Sequence, residues 1–151
     1  MTLYESQGAL VLIANRLKNI NYAIIGSCNL ALQNVNVQTV NDIDILTNKL
    51  GIHLIEKLLE EFVVENVKYV YNSKYDCYYA KFLINDIKVE VFAAFNNKQP
   101  RGDFYKDLSK KIKVKIDNIE INCLPLAQDM EFYTKKGKLD NVEKIKRKLM
   151  M

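Results

Sequence analysis

Asp42 and Asp44 are separated by one isoleucine in "NDIDIL", residues Asn41 to Leu46. Side chains two apart on a strand project from one face, so both carboxylates would stand together while Ile43 and Ile45 turn to the core. Two such charges are costly side by side unless a cation lies between them. Magnesium suits that place, with manganese the alternative, because it takes hard oxygen ligands from one or two carboxylates together with substrate phosphates. A third carboxylate comes from "KVEVF", where Lys88, Glu90 and Phe92 share one face and Val89 and Val91 take the other. On a strand beside the aspartates, Glu90 would complete the metal set and is placed to act as a general base.

The phosphate end of such a site is sought in "YAIIGSCNL". Gly26 stops a short apolar strand and permits close backbone approach, and Ser27 is expected to cap a helix running to about Gln33. The serine and the amides opening that helix would supply donors to an anion. Carboxylates that hold metal beside a phosphate-binding turn suit attack of a hydroxyl on a nucleotide α-phosphorus.

These residues need a frame. Apolar spacing predicts a helix over Tyr4 to Leu17, a strand at Tyr22 to Gly26, a strand at Asp42 to Leu46 and a helix over Ile52 to Phe62. Strands follow at Val67 to Tyr71, Cys77 to Ile84 and Ile87 to Phe95, the last two joined by an Asn85-Asp86 turn. A second hairpin is expected over Lys111 to Leu124 around Asp117-Asn118, and Pro125 suits the first turn of a helix to Lys135, followed beyond Gly137 by another from Leu139 to Leu149. The order indicates an α+β fold with a mixed sheet flanked by helices and a C-terminal helical segment. We expect one domain over 1–151, with a core near 20–95 and the hairpin and closing helices over about 104–151. The polar "NNKQPRGD" stretch, Asn96 to Asp103, is expected to be a surface loop.

Composition narrows the classes. Hydrophobic residues are 49% and charged residues 26%, a globular balance that excludes a disordered or disulfide-scaffold chain. The cysteines, Cys28, Cys77 and Cys123, are dispersed and odd in number, which favours a reducing, cytoplasmic setting over a disulfide framework. No apolar run approaches the roughly 20 residues of a membrane span. His53 is the only histidine, which excludes a histidine-based triad or a multi-histidine zinc site, and it is read as a surface residue at a helix start. The net charge of +4 suits anionic ligands, nucleotides or RNA among them. The tyrosines of "KYVYNSKYDCYYAKF" are read as sheet-packing residues, with base stacking the second reading.

Taken in order, Gly26-Ser27, Asp42-Ile43-Asp44-Ile45 and Val89-Glu90-Val91 resemble the signature of the DNA polymerase β-type nucleotidyltransferase superfamily, over roughly Tyr22 to Phe95. The small size resembles the minimal nucleotidyltransferases and the abortive-infection or toxin-antitoxin transferases. That resemblance implies transfer of a nucleoside monophosphate from a nucleoside triphosphate, such as ATP, to a hydroxyl, with pyrophosphate released. The acceptor it implies is a small molecule, an RNA end or a protein side chain. "MEFYTKKGKLDNVEKI" is similar to the C-terminal segment of such enzymes, which would match Lys135 to a phosphate-binding lysine and Asp140 to an aspartate that helps position the phosphate or a base. Many relatives carry an arginine shortly before the aspartate pair; Gln38 stands there, so that phosphate or carboxylate contact would be missing or supplied by Lys49 or Arg101. Two other readings stay open: a noncatalytic, antitoxin-like module that binds a cognate protein, and an RNA-binding module.

Overall fold

The computed structural model describes residues 1–37, 39–72, 76–93 and 107–150. Seven strands form one mixed sheet: β1 (Tyr22–Ile25), β2 (Ile43–Thr47), β3 (Val63–Tyr71), β4 (Asp76–Ile84), β5 (Ile87–Ala93), β6 (Ile112–Ile116) and β7 (Ile119–Cys123). Their order is β3-β4-β5-β2-β1-β7-β6. The pairs β1–β2, β3–β4, β4–β5 and β6–β7 are antiparallel, and β2–β5 and β1–β7 are parallel. Among the described residues, five α-helices accompany it: α1 (Leu3–Arg16), α2 (Gly26–Leu32), α3 (Lys49–Leu58), α4 (Leu126–Lys135) and α5 (Leu139–Leu149).

One face of the sheet is the main core. Ile24, Ile43, Ile45, Phe82, Val89 and Val91 pack there against Leu10 and Ile13 of α1 and Ile52 and Ile55 of α3, all fully buried. The alternation that sends these side chains to one face sends Ile25, Asp44, Glu90 and Lys81 to the other. A second cluster joins Leu30 of α2 to Leu126 and Tyr133 of α4 and to Val142 and Ile145 of α5. Below it, the buried Asn29 of α2 donates from Nδ2 to the Leu124 carbonyl (2.9 Å) and to Asp129 Oδ2 (2.6 Å), a polar brace between α2 and α4. The C-terminal helices are thereby fixed to the helix that follows the glycine turn.

The β4–β5 and β6–β7 hairpins close through the expected residues. Asn85 and Asp86 have φ of 52° and 64°, and Asp117 and Asn118 have 49° and 68°. These left-handed pairs are what a two-residue turn matching the strand twist requires, and Asn and Asp tolerate them.

Other expectations shift. β2 begins at Ile43, so Asp42 sits at the lip of the strand and not within it. α2 starts at Gly26 itself and has no side-chain cap, so Ser27 does not cap it; the helix begins before the serine. α3 starts earlier than expected, at Lys49, because Asn48 Oδ1 accepts from the Gly51 amide (2.7 Å) as its cap; its C-terminal end becomes a separate short 3₁₀ turn over Glu60–Phe62. Pro125 occupies the cap position of α4, one residue ahead of its first turn. Gln38, Arg101 and the Asn96 to Asp103 stretch lie outside the described residues.

Candidate active site

The site is built by the register of three strands. In the β1–β2 and β2–β5 ladders Ile25 faces Asp44 and Asp44 faces Glu90, and in β4–β5 Lys81 faces Glu90. Residues directly opposed in a ladder share a face, so this row crosses four strands on the side away from the main core. Carboxylate oxygens of Asp42, Asp44 and Glu90 all lie within 4.8 Å of one another, each residue half-buried. Two like charges about 4 Å apart repel by about 4 kcal/mol at an effective dielectric of about 20. Three oxygens this close, all from hard carboxylates, form a donor set that fits a divalent cation such as Mg2+.

Lys88 is set against this cluster. Its Nζ lies 3.3 Å from Asp42 Oδ2 and 3.6 Å from Glu90 Oε1. The charge of Glu90, and then hydrogen bonding and charge from Asp42, hold the ammonium above its ordinary pKa. With 40% of its side chain exposed, the lysine is a solvent-screened partner, of the kind a divalent ion can replace. Glu90 is steadied on its other oxygen, where the Tyr79 hydroxyl donates to Oε2 at 2.7 Å.

The glycine turn meets the carboxylates directly. Gly26 has φ of +75°, and a Cβ placed on it would fall 3.0 Å from Asp44 Oδ2. Both facts demand glycine: the backbone conformation is one that L side chains rarely adopt, and the carboxylate leaves no room. Ser27 Oγ accepts from the Asn41 amide at 3.1 Å, which ties the turn to the residue just before Asp42. That bond uses the oxygen and leaves the hydroxyl proton for donation.

Other elements carry the remaining candidates. Lys135 ends α4 and Asp140 belongs to the first turn of α5; both are exposed at the helical corner, and Asp140 is not part of the carboxylate cluster. Lys49 opens α3 with its ammonium 5.4 Å from the Tyr78 ring, on the sheet face opposite Tyr79, so it does not replace an arginine at the site. His53 is exposed on α3 with its ring edge toward Tyr78. Burial pushes the Cys28 thiol well up, followed by the charges at Cys123 and Asp44, which leaves it unsuited to nucleophilic attack.

Tyr79 and Lys88 escaped the sequence reading as site residues. A signal for one was present: a two-residue turn at Asn85-Asp86 pairs Ile84 with Ile87, hence Lys81 with Glu90 and Tyr79 with Phe92. Lys88 precedes Glu90 by two on the same face, which placed it near the site without naming its partner Asp42.

The family profile for aminoglycoside-2″-adenylyltransferase matches residues 9–150. The chain belongs to that adenylyltransferase family. A nucleotidyltransferase candidate from Thermotoga maritima, known from its crystal structure, is 30% identical, with 99% of this chain and 95% of that one aligned at a TM-score of 0.79. Two antibiotic-modifying enzymes share the fold. ANT(2″)-Ia, solved with adenylyl-2″-tobramycin, is 12% identical over 94% of this chain and 85% of its own, with a TM-score of 0.59. The lincosamide adenylyltransferase LnuA, solved with lincomycin, is 12% identical over 94% and 96%, with a TM-score of 0.61. No curated protein sequence matches significantly. The adenylyltransferase fold therefore confirms the expected α+β nucleotidyltransferase class, and membership of the family makes this chain a nucleotidyltransferase. Among the described residues no helix is long and apolar enough to cross a membrane.

Proposed function

We propose that the protein is a metal-dependent nucleotidyltransferase that moves a nucleoside monophosphate from a nucleoside triphosphate, ATP in the first instance, to a hydroxyl acceptor. The observation that carries this reading is the convergence of Asp42, Asp44 and Glu90 within 4.8 Å beside the Gly26 turn. These three carboxylates would hold Mg2+, or Mn2+ in its place. Bound there, the metal would supply charge stabilisation to the oxygens of the phosphoryl transfer.

Each residue then has a task. Gly26 lets the backbone lie close to the carboxylates, and the Ser27 hydroxyl donates to a phosphate oxygen. Lys135, from the C-terminal helices, is assigned to the triphosphate, with Asp140 positioning it. Glu90 takes the acceptor's proton as the hydroxyl oxygen bonds to the α-phosphorus, while the bond from that phosphorus to the bridging oxygen breaks and pyrophosphate leaves. Tyr79 keeps the Glu90 carboxylate oriented for that transfer.

Transfer of labelled nucleotide in the presence of Mg2+ tests the proposal. Wild-type protein is expected to label an acceptor, and Asp42→Asn or Asp44→Asn protein with an unchanged circular dichroism spectrum is expected not to. Undiminished transfer by either folded variant would overturn the metal assignment.

A further inference from the structure

The sheet beyond Glu90 carries a second pattern, at right angles to its strands. Lys88 on β5, Lys81 on β4 and Lys68 on β3 all lie on the face of the carboxylates. Lys81 is opposed to Glu90, Lys68 to Tyr79, and Lys88 reaches Asp42. The acidic counterweight on this wing is Glu65, opposed to Lys81 and bonded to Lys68 Nζ at 2.7 Å. Its carboxyl is held low by hydrogen bonding to Lys68 first, with the charges of Lys68 and Lys81 adding to it. With a divalent ion bound, the three active-site carboxylates keep one net negative charge, so the three ammonium groups stand against that charge and Glu65, and the wing stays net positive.

The position of this wing matters for the reaction. The Gly26 turn lies on the β1 side of Asp44 and Glu90 on the β5 side, so a triphosphate at the turn leaves the β5-β4-β3 side for the group that gives its proton to Glu90. An acceptor entering from that side meets lysines.

From this juxtaposition we propose that the acceptor is an anionic hydroxyl compound, one bearing a phosphate close to the reacting hydroxyl, and not a polycation of the aminoglycoside kind. This rests on the transferase reading. Phosphate oxygens would take the ammonium groups of Lys68 and the half-buried Lys81 as partners, whereas the amines of an aminoglycoside would be repelled by the same groups. On the transferase reading the nucleotide supplies the transferred group, while this face selects the acceptor.

Two phosphorylated probes separate the sources of that chemistry: a fluorescein-labelled octaribonucleotide with a free 3′-hydroxyl, and glycerol 3-phosphate. Tobramycin and lincomycin serve as the cationic and weakly charged comparators. Binding is measured to wild-type protein and to the Lys68→Gln/Lys81→Gln variant, with Mg–ATP binding and the thermal midpoint followed on both. The expected result is binding of at least one phosphorylated probe, more tightly than either antibiotic, reduced at least tenfold in the double variant while Mg–ATP affinity changes less than twofold. Tighter binding of tobramycin, no binding of either phosphorylated probe, or an unchanged affinity in the folded double variant would overturn it. In each of those cases retained Mg–ATP binding leaves the transferase reading standing; a wild-type protein that fails to bind Mg–ATP removes both.

Discussion

Asp44 and Glu90 are directly opposed in the parallel ladder between β2 and β5. Two acidic side chains in that relationship, with Asp42 beside them, cost the metal-free protein stability that a divalent ion would restore. Added Mg2+ is accordingly expected to raise the thermal midpoint of the wild-type protein, and to do so far less for Asp44→Asn. Transfer activity should fall by roughly a hundredfold or more, the scale on which loss of a preorganised charged group acts. Differential scanning calorimetry with and without Mg2+, alongside the labelled-nucleotide assay, checks both.

Gly26→Ala should damage the same site through the backbone. An alanine held at this positive φ costs about 1–2 kcal/mol. The added methyl would also press on Asp44 Oδ2, 3.0 Å away. Urea unfolding is expected to show the loss, and Mg2+ affinity is expected to fall with it because the carboxylate must move. Unaltered metal affinity would show that the turn does not constrain Asp44.

Tyr79→Phe removes the hydroxyl that donates to Glu90 Oε2 and nothing else of the ring. A hydrogen bond to a charged group is worth about 1.5–3 kcal/mol, so kcat is expected to fall roughly tenfold where that bond orients the carboxylate for proton transfer. KM for the nucleoside triphosphate should hold, since Tyr79 lies on the β4 side, away from the turn. Steady-state kinetics at saturating acceptor separate the two parameters.

Asp129→Ala would leave the buried Asn29 amide without its 2.6 Å partner. A buried donor deprived of its acceptor costs about 1–3 kcal/mol. The loss is expected in chemical denaturation, with α4 and α5 exchanging their amide hydrogens sooner than the sheet.

Burial pushes the Cys77 and Cys123 thiols up to about 12, with the charges of Asp76 and Asp129 respectively adding to the shift. In the native protein neither should react with a disulfide reagent at pH 8, and both should react once unfolded. The sign of the linked stability follows. Below the ordinary thiol value of about 9 both states keep the proton; between about 9 and about 12 the unfolded chain alone releases it, so stability falls as pH rises through that window. Denaturant midpoints from pH 8 to pH 11 measure it.

Much of this arrangement is legible in the chain. Period-two alternation places Asp44 and Glu90 away from their valine and isoleucine neighbours, and Asn85-Asp86 and Asp117-Asn118 mark the β4–β5 and β6–β7 hairpins because few other residues accept their dihedrals. The beginning of α2 is less so. Gly-Ser reads as a cap, yet the glycine itself enters the helix at positive φ and the serine turns to Asn41, a bond set by tertiary approach. The buried Asn29–Asp129 brace spans 100 residues and has no local sign. Lys88 illustrates the same limit, since its charge is plain in the sequence and its partner Asp42 depends on how β2 meets β5.

That meeting of β2 and β5 also governs when the protein becomes competent. The two strands are parallel, and α3, β3 and β4 intervene between them, so Asp44 and Glu90 come together only after a long crossover has closed. Non-local pairing of this kind is slow to form. A slip of one position would put Val89 or Val91 where Glu90 belongs and turn the glutamate into the core, so the ladder has no half-right alignment that retains the site. Catalytic competence should therefore appear late in refolding and all at once, after the β4–β5 hairpin has formed and in step with protection of the β2 amides.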